Sequence, residues 1–99
     1  MKIERRCRIL EKTQMGDAIY MVLAVGDMVR TSGVRPVLVV HIKCGEGTLL
    51  RLPISICEWT ESREGDTLTI VFEVRGEGTA WLARRPAGHT ADVLGPLGN

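Results

Sequence analysis

A chain of 99 residues holds a single domain, close to the smallest size at which one hydrophobic core folds without disulfides or metals. Its 44% apolar and 25% charged residues exclude a disordered tail. No apolar run approaches the ~20 residues of a transmembrane helix, and Met1-Lys2-Ile3-Glu4-Arg5-Arg6 leads into no signal-peptide core, so a cytoplasmic protein without a membrane partner is expected. Thirteen basic residues against twelve acidic ones give a net charge of +1, and the basic residues are scattered along the chain, which argues against a nucleic-acid partner.

Cys7-Arg8-Ile9-Leu10-Glu11 alternates within the stretch from Ile3 to Thr13, and Met15-Gly16-Asp17 turns the chain into the apolar run Ala18 to Val25. Two paired antiparallel strands follow from that pattern. Gly26-Asp27-Met28 and Thr31-Ser32-Gly33 bound a short connector, and Pro36 opens the most β-prone run, Val37 to Cys44. Gly45-Glu46-Gly47 leads into Leu49 to Trp59, where Pro53 donates to no ladder and so marks a sheet edge or bulge, a place where backbone is open to a ligand. A polar loop from Ser62 to Asp66 precedes the alternating strand Thr67 to Val74. Thr79 to Arg85 reads as a helix of about two turns stopped by Pro86 and Gly88, Thr90 to Leu94 as a sixth strand, and Gly95 to Asn99 as a closing turn. The expected fold is all-β, a six-stranded antiparallel Greek-key β-barrel with one short helix, because closure is how a small β domain disposes of its edges.

Self-contained chemistry is thin. Cys7, Cys44 and Cys57 are odd in number and form no C-x-x-C pair, so they read as buried thiols rather than as disulfides or zinc ligands. His41 and His89 have no acidic residue at metal-ligand spacing, and no nucleophile elbow, P-loop or carboxylate pair is present. The informative stretch is Val71-Phe72-Glu73-Val74-Arg75-Gly76-Glu77-Gly78-Thr79, a strand running into a Gly-x-Gly-Thr turn. Glycines that free the backbone, followed by a threonine able to cap a helix, leave N–H groups aimed one way, as a phosphate site needs. A plain strand, turn and capped helix satisfies the same pattern.

Three motifs, Arg51-Leu52-Pro53-Ile54-Ser55-Ile56, Gly76-Glu77-Gly78-Thr79 and Gly95-Pro96-Leu97-Gly98, stand in an order and spacing that resembles the flavin-binding barrel of the ferredoxin-reductase-like superfamily. Within it the likeness is greatest to the electron-transfer subunit of class 1B dihydroorotate dehydrogenase, and related ferredoxin-NADP oxidoreductase subunits carry a similar R-x-P-[IL]-[ST]-I. The resemblance covers nearly the whole chain. It implies an FAD-binding role in electron relay for dihydroorotate oxidation in pyrimidine biosynthesis, with a catalytic dihydroorotate dehydrogenase subunit as partner. It further implies that Arg51, Pro53, Ile54 and Ser55 line the isoalloxazine and ribityl part of FAD, that Val71, Phe72 and Glu73 flank it, and that Gly78 and Thr79 hold the pyrophosphate. In that family a nucleotide-binding domain and an iron–sulfur cluster follow the barrel; residues 1–99 are expected to hold only the barrel, with neither of those parts.

The departures bear on occupancy. Leu52 stands where the dihydroorotate dehydrogenase subunits carry a second arginine, and Val37, Leu38, Val39 and Ala91 replace more polar, flexible or larger residues. A lost charge-assisted hydrogen bond weakens FAD binding by roughly tenfold to a hundredfold. An alternative expectation is a barrel that has lost its FAD and self-associates as a scaffold through an apolar patch of Val37, Leu38, Val39, Leu52 and Ala91.

Overall fold

The computed structural model of the protein describes residues 3–27, 39–45 and 51–95. Its strands are β1 (Ile3–Met15), β2 (Ala18–Gly26), β3 (Val39–Lys43), β4 (Arg51–Thr60), β5 (Asp66–Glu73) and β6 (Thr90–Gly95), with one helix, α1 (Glu77–Ala83), between the last two. All strand pairs are antiparallel, and the neighbour order β1-β2-β5-β4-β3-β6 closes on itself. The Greek-key barrel expected from the alternating runs is therefore the observed fold. The expected strand start at Val37 and Leu38, the connector from Met28 to Pro36, the turn after Gly45 and the end from Pro96 to Asn99 lie outside the described residues.

Alternation dictates which side chains go inside. On β2, Ile19, Met21, Leu23 and Val25 are buried, and on β5 Asp66, Leu68, Ile70 and Phe72 are. Cys7 and Ile9 of β1, Val40 and Ile42 of β3, and Ala91 and Val93 of β6 complete an aliphatic core. The buried Asp66 carboxylate accepts a hydrogen bond from the Ser62 N–H, which ties down the loop before β5.

α1 adds a buried Leu82, whose sequestration contributes about 1.5–3 kcal/mol. Lys12 Nζ donates to the Ala83 carbonyl at 2.8 Å, placing a cation at the helix C-terminus. The helix starts two residues earlier than the sequence predicts. Gly76, with extended backbone, is its N-cap, which puts Gly78 and Thr79 inside the first turn. Thr79 is thus not the capping residue; its Oγ1 reaches back and accepts from the N–H groups of Arg75 at 2.7 Å and Gly76 at 3.1 Å.

Cys57 is exposed rather than buried. Alternation from buried Ile54 already places Cys57 on the outer face, and a β4–β5 bulge between Ile56 and Glu58 leaves Glu58 outward as well while Trp59 packs against the core. Cys7 and Cys44 are buried, as expected. No helix among the described residues is long and apolar enough to cross a membrane.

Candidate functional site

β4 is fully laddered only over part of its length. Its first half pairs with β3, from Arg51 opposite Lys43 to Ser55 opposite Val39. Its pairing with β5 begins only at Ser55 opposite Val71 and runs to Thr60 opposite Thr67. Ser55 is therefore the vertex at which β3, β4 and β5 all meet, and above it the edges of β4 and β5 part. Pro53 sits within the separated segment, where its missing N–H removes no bond to β5. Over Leu52 to Ile54, β4 has a ladder with β3 and none with β5 among the described residues.

The split brings the residues of two of the motifs together. Arg51, Pro53, Ile54 and Ser55 form one edge; Val71, which still pairs with Ser55, and Phe72 and Glu73, which pair with β2 alone among the described strands, form the other. α1 starts at the end of the split, and the side chain of Leu52 rests there against Gly78. A Cβ on Gly78 would fall 2.7 Å from Leu52 Cδ1 and 3.3 Å from Cys44 Cβ, so glycine is what allows β4 and the helix to approach this closely.

The side chains divide by face. Pro53, Ser55 and Glu73 are exposed and Val71 is half-buried. Ile54 and Phe72 point into the core, so only their backbone is offered to the split. Arg51 turns across β3: its Nη2 lies 2.9 Å from Asp92 Oδ1 and its Nη1 donates to the Asp92 carbonyl at 3.2 Å. Its guanidinium is directed to β6, away from β5. Arg75, absent from the residues expected at the site, stands at the turn into α1 and pairs with Glu73. Position alone reveals it, because a cation beside a strand-to-helix turn carries no recognisable pattern in the sequence.

Polar groups of the turn are only partly used. Thr79 satisfies the Arg75 and Gly76 N–H groups, whereas the first-turn N–H groups of Glu77, Gly78 and Thr79 precede the first intrahelical bond, Ala80 N–H to the Gly76 carbonyl. Beside the split, His41, opposite Pro53 on β3, has a buried Nδ1 with no hydrogen-bond partner among the described residues. Open backbone, a serine hydroxyl at the vertex and a glycine cradle suit the neutral, hydrogen-bonding parts of a flavin. The cradle's floor at Leu52 is apolar, and it supplies no charge to a pyrophosphate.

Of the apolar positions considered for self-association, Ala91 is in the core opposite Cys7, and Leu52 is half-buried on Gly78. Val39 is half-buried, and Val37 and Leu38 lie outside the described residues. Burial of Cys7 pushes its thiol up from 9.0 to about 11, with Arg5 opposing and Asp92 adding to the rise. Burial also raises Cys44, offset by a backbone hydrogen bond at Leu52. Neither thiol is a nucleophile at neutral pH.

No protein-family model matches the chain. It is 38% identical over 93 residues to the electron transfer subunit of dihydroorotate dehydrogenase B (NAD(+)) from Bacillus mycoides, an alignment covering 92% of this chain and 35% of that protein. The subunits of the same name from Bacillus cereus and Bacillus anthracis match with the same identity and coverage. The chain thus spans about a third of the length of these relatives. Among solved structures, a chain of the NADH-dependent reduced ferredoxin-NADP oxidoreductase, studied for flavin-based electron bifurcation, superposes with a TM-score of 0.77 at 26% identity, over 94% of this chain and 33% of that one.

Proposed function

We propose, from the kinship of this barrel with one third of the dihydroorotate dehydrogenase B electron transfer subunits, that the chain is the FAD-binding barrel of such an electron-transfer flavoprotein. The observation that carries the reading is the parting of β4 from β5 above Ser55 and Val71, which gathers the motif residues around the gap between the two strands. FAD, when bound, supplies the redox chemistry that accepts electrons from one partner and passes them to another. The protein's own part is to hold and orient it. Backbone groups of Pro53 and Ile54 and the Ser55 hydroxyl meet the isoalloxazine and ribityl part, Val71, Phe72 and Glu73 border it through backbone and outer face, and Gly78 and Thr79 lie at the pyrophosphate.

Arg51, expected along the isoalloxazine and ribityl part of FAD, has its guanidinium engaged with Asp92, so a different cation is needed at the phosphates. Arg75 takes that role, since its partner Glu73 is a surface carboxylate and such pairs are worth only about 0–1 kcal/mol. Electron relay in dihydroorotate oxidation for pyrimidine biosynthesis, with a catalytic dihydroorotate dehydrogenase subunit as partner, is the physiological setting we propose.

The test is a titration of the purified chain with FAD. Binding perturbs the visible flavin spectrum and stabilises the fold by about 2.7 kcal/mol at a hundredfold excess over Kd. An unchanged spectrum together with an unchanged melting temperature at tens of micromolar FAD would overturn the reading.

A further inference from the structure

Basic residues that are far apart in sequence converge on one face of the barrel. Arg6 on β1 is opposite Asp92 on β6, Ile42 of β3 is opposite Val93 of β6, and Lys43 is opposite Arg51 on β4. A row of side chains from four strands follows: Arg6, Asp92, Lys43 and Arg51. Its one carboxylate is claimed by Arg51. Arg85, just past α1, stands over the Trp81 ring at 4.8 Å and donates from Nη2 to the Thr90 carbonyl at 3.1 Å. Its Nε is buried with no acceptor among the described residues.

Between these groups lies a pocket of about 260 Å³, lined by Arg6, Lys43, Gly45, Trp81, Arg85, Thr90 and Asp92. Three cations thus share one cavity, and no acidic side chain among the described residues forms an ion pair with Arg6, Lys43 or Arg85. Like charges held around a concave, partly desolvated space repel one another and concentrate a positive potential there, so a multivalent anion is the complement. Two guanidinium groups favour phosphate oxygens, which accept paired N–H bonds. The cavity is smaller than the roughly 300–1,000 Å³ of pockets that enclose drug-sized ligands, so it suits a phosphate or diphosphate group rather than a whole coenzyme.

We propose that this pocket binds the phosphate or diphosphate group of a small molecule through Arg6, Lys43 and Arg85. The site shares no lining residue with Pro53, Ser55, Val71, Gly78 or Thr79, and it stands whether or not FAD binds at the β4–β5 split. The aromatic wall at Trp81 provides its own reporter.

The experiment uses the chain carrying Trp59→Phe, so that Trp81 is its one tryptophan, titrated with sodium pyrophosphate and with ADP at ionic strength held constant with sodium chloride. Saturable quenching with pyrophosphate is expected, weakened about tenfold or more by Arg6→Gln and by Lys43→Gln. Both side chains lie on the outer face, and an unchanged melting temperature of the unliganded variants confirms that their fold is intact. ADP binding more tightly than pyrophosphate assigns the group to a nucleotide; equal binding assigns it to a free phosphate compound. No saturable change at millimolar pyrophosphate overturns the proposal. So does binding of undiminished strength in both variants, which would place the anion elsewhere, such as the turn into α1.

Discussion

Leu52 and Gly78 are fitted to each other: the leucine Cδ1 lies 2.7 Å from where a Cβ on the glycine would stand. That contact fastens β4 to the first turn of α1 at the end of the split. Gly78→Ala therefore forces the leucine or the helix to move, and overpacking of this kind costs about 1–3 kcal/mol. Gly78 has no positive φ, so the loss comes from crowding rather than from backbone strain. Combining Gly78→Ala with Leu52→Ala relieves the clash, and urea unfolding should show the double variant losing clearly less than the sum of the two singles. Strict additivity would mean that the two residues do not touch.

Leu52→Arg probes the same contact from the side of the cofactor. The guanidinium would extend past Gly78 toward the first-turn N–H groups of α1, where the proposed pyrophosphate lies. A charge-assisted hydrogen bond contributes about 1.5–3 kcal/mol, so FAD affinity should rise by roughly tenfold to a hundredfold, read by flavin titration. An affinity equal to that of the parent chain would show that the phosphates lie elsewhere. The unliganded variant should be somewhat less stable, because a half-buried apolar contact is exchanged for a cation without a partner.

The six strands and the barrel class were legible because period-2 alternation and turn residues repeat along the chain, and that alternation buries Ile19, Met21, Leu23 and Val25 on β2 and Leu68, Ile70 and Phe72 on β5. Pro53 also signalled an open backbone, and the gap beside it is where β5 leaves β4. Other features depend on register between distant strands. Cys57 is outward by the alternation that buries Ile54, and Glu58 follows it outward because of a bulge that no composition marks. Basic residues scattered in sequence form a row only when β1, β6, β3 and β4 are aligned, which is why a chain of nearly neutral net charge carries a cationic pocket. The helix start was misplaced because Thr79 has the chemistry of a cap but bonds backward from the third helical position.

Ser55→Ala tests the vertex. The hydroxyl is exposed and no hydrogen bond from it is formed among the described residues, so the change in folding stability should stay within about 0.5 kcal/mol. FAD affinity should fall by several fold, as expected for losing a neutral hydrogen bond of about 0.5–1.5 kcal/mol. Equal affinity for the two proteins would remove the serine from the site.

The thiols make a further, cofactor-independent prediction. Exposed Cys57 should be alkylated by iodoacetamide in the folded protein, while buried Cys7 and Cys44 react only on unfolding, as peptide mass mapping would show. Because burial raises the Cys7 thiol from 9.0 to about 11, the folded protein holds that proton at pH values where the unfolded chain has lost it. The associated stability is fully present below pH 9 and declines as pH rises toward 11. A shift of this size corresponds to about 2–3 kcal/mol, so urea midpoints should fall across that window. In Cys7→Ala, the alkaline decline should be visibly shallower, although the variant begins from a lower stability because a core atom has been removed. An equally steep decline in that variant would assign the alkaline transition to other groups, of which Cys44, also raised by burial, is the first to examine.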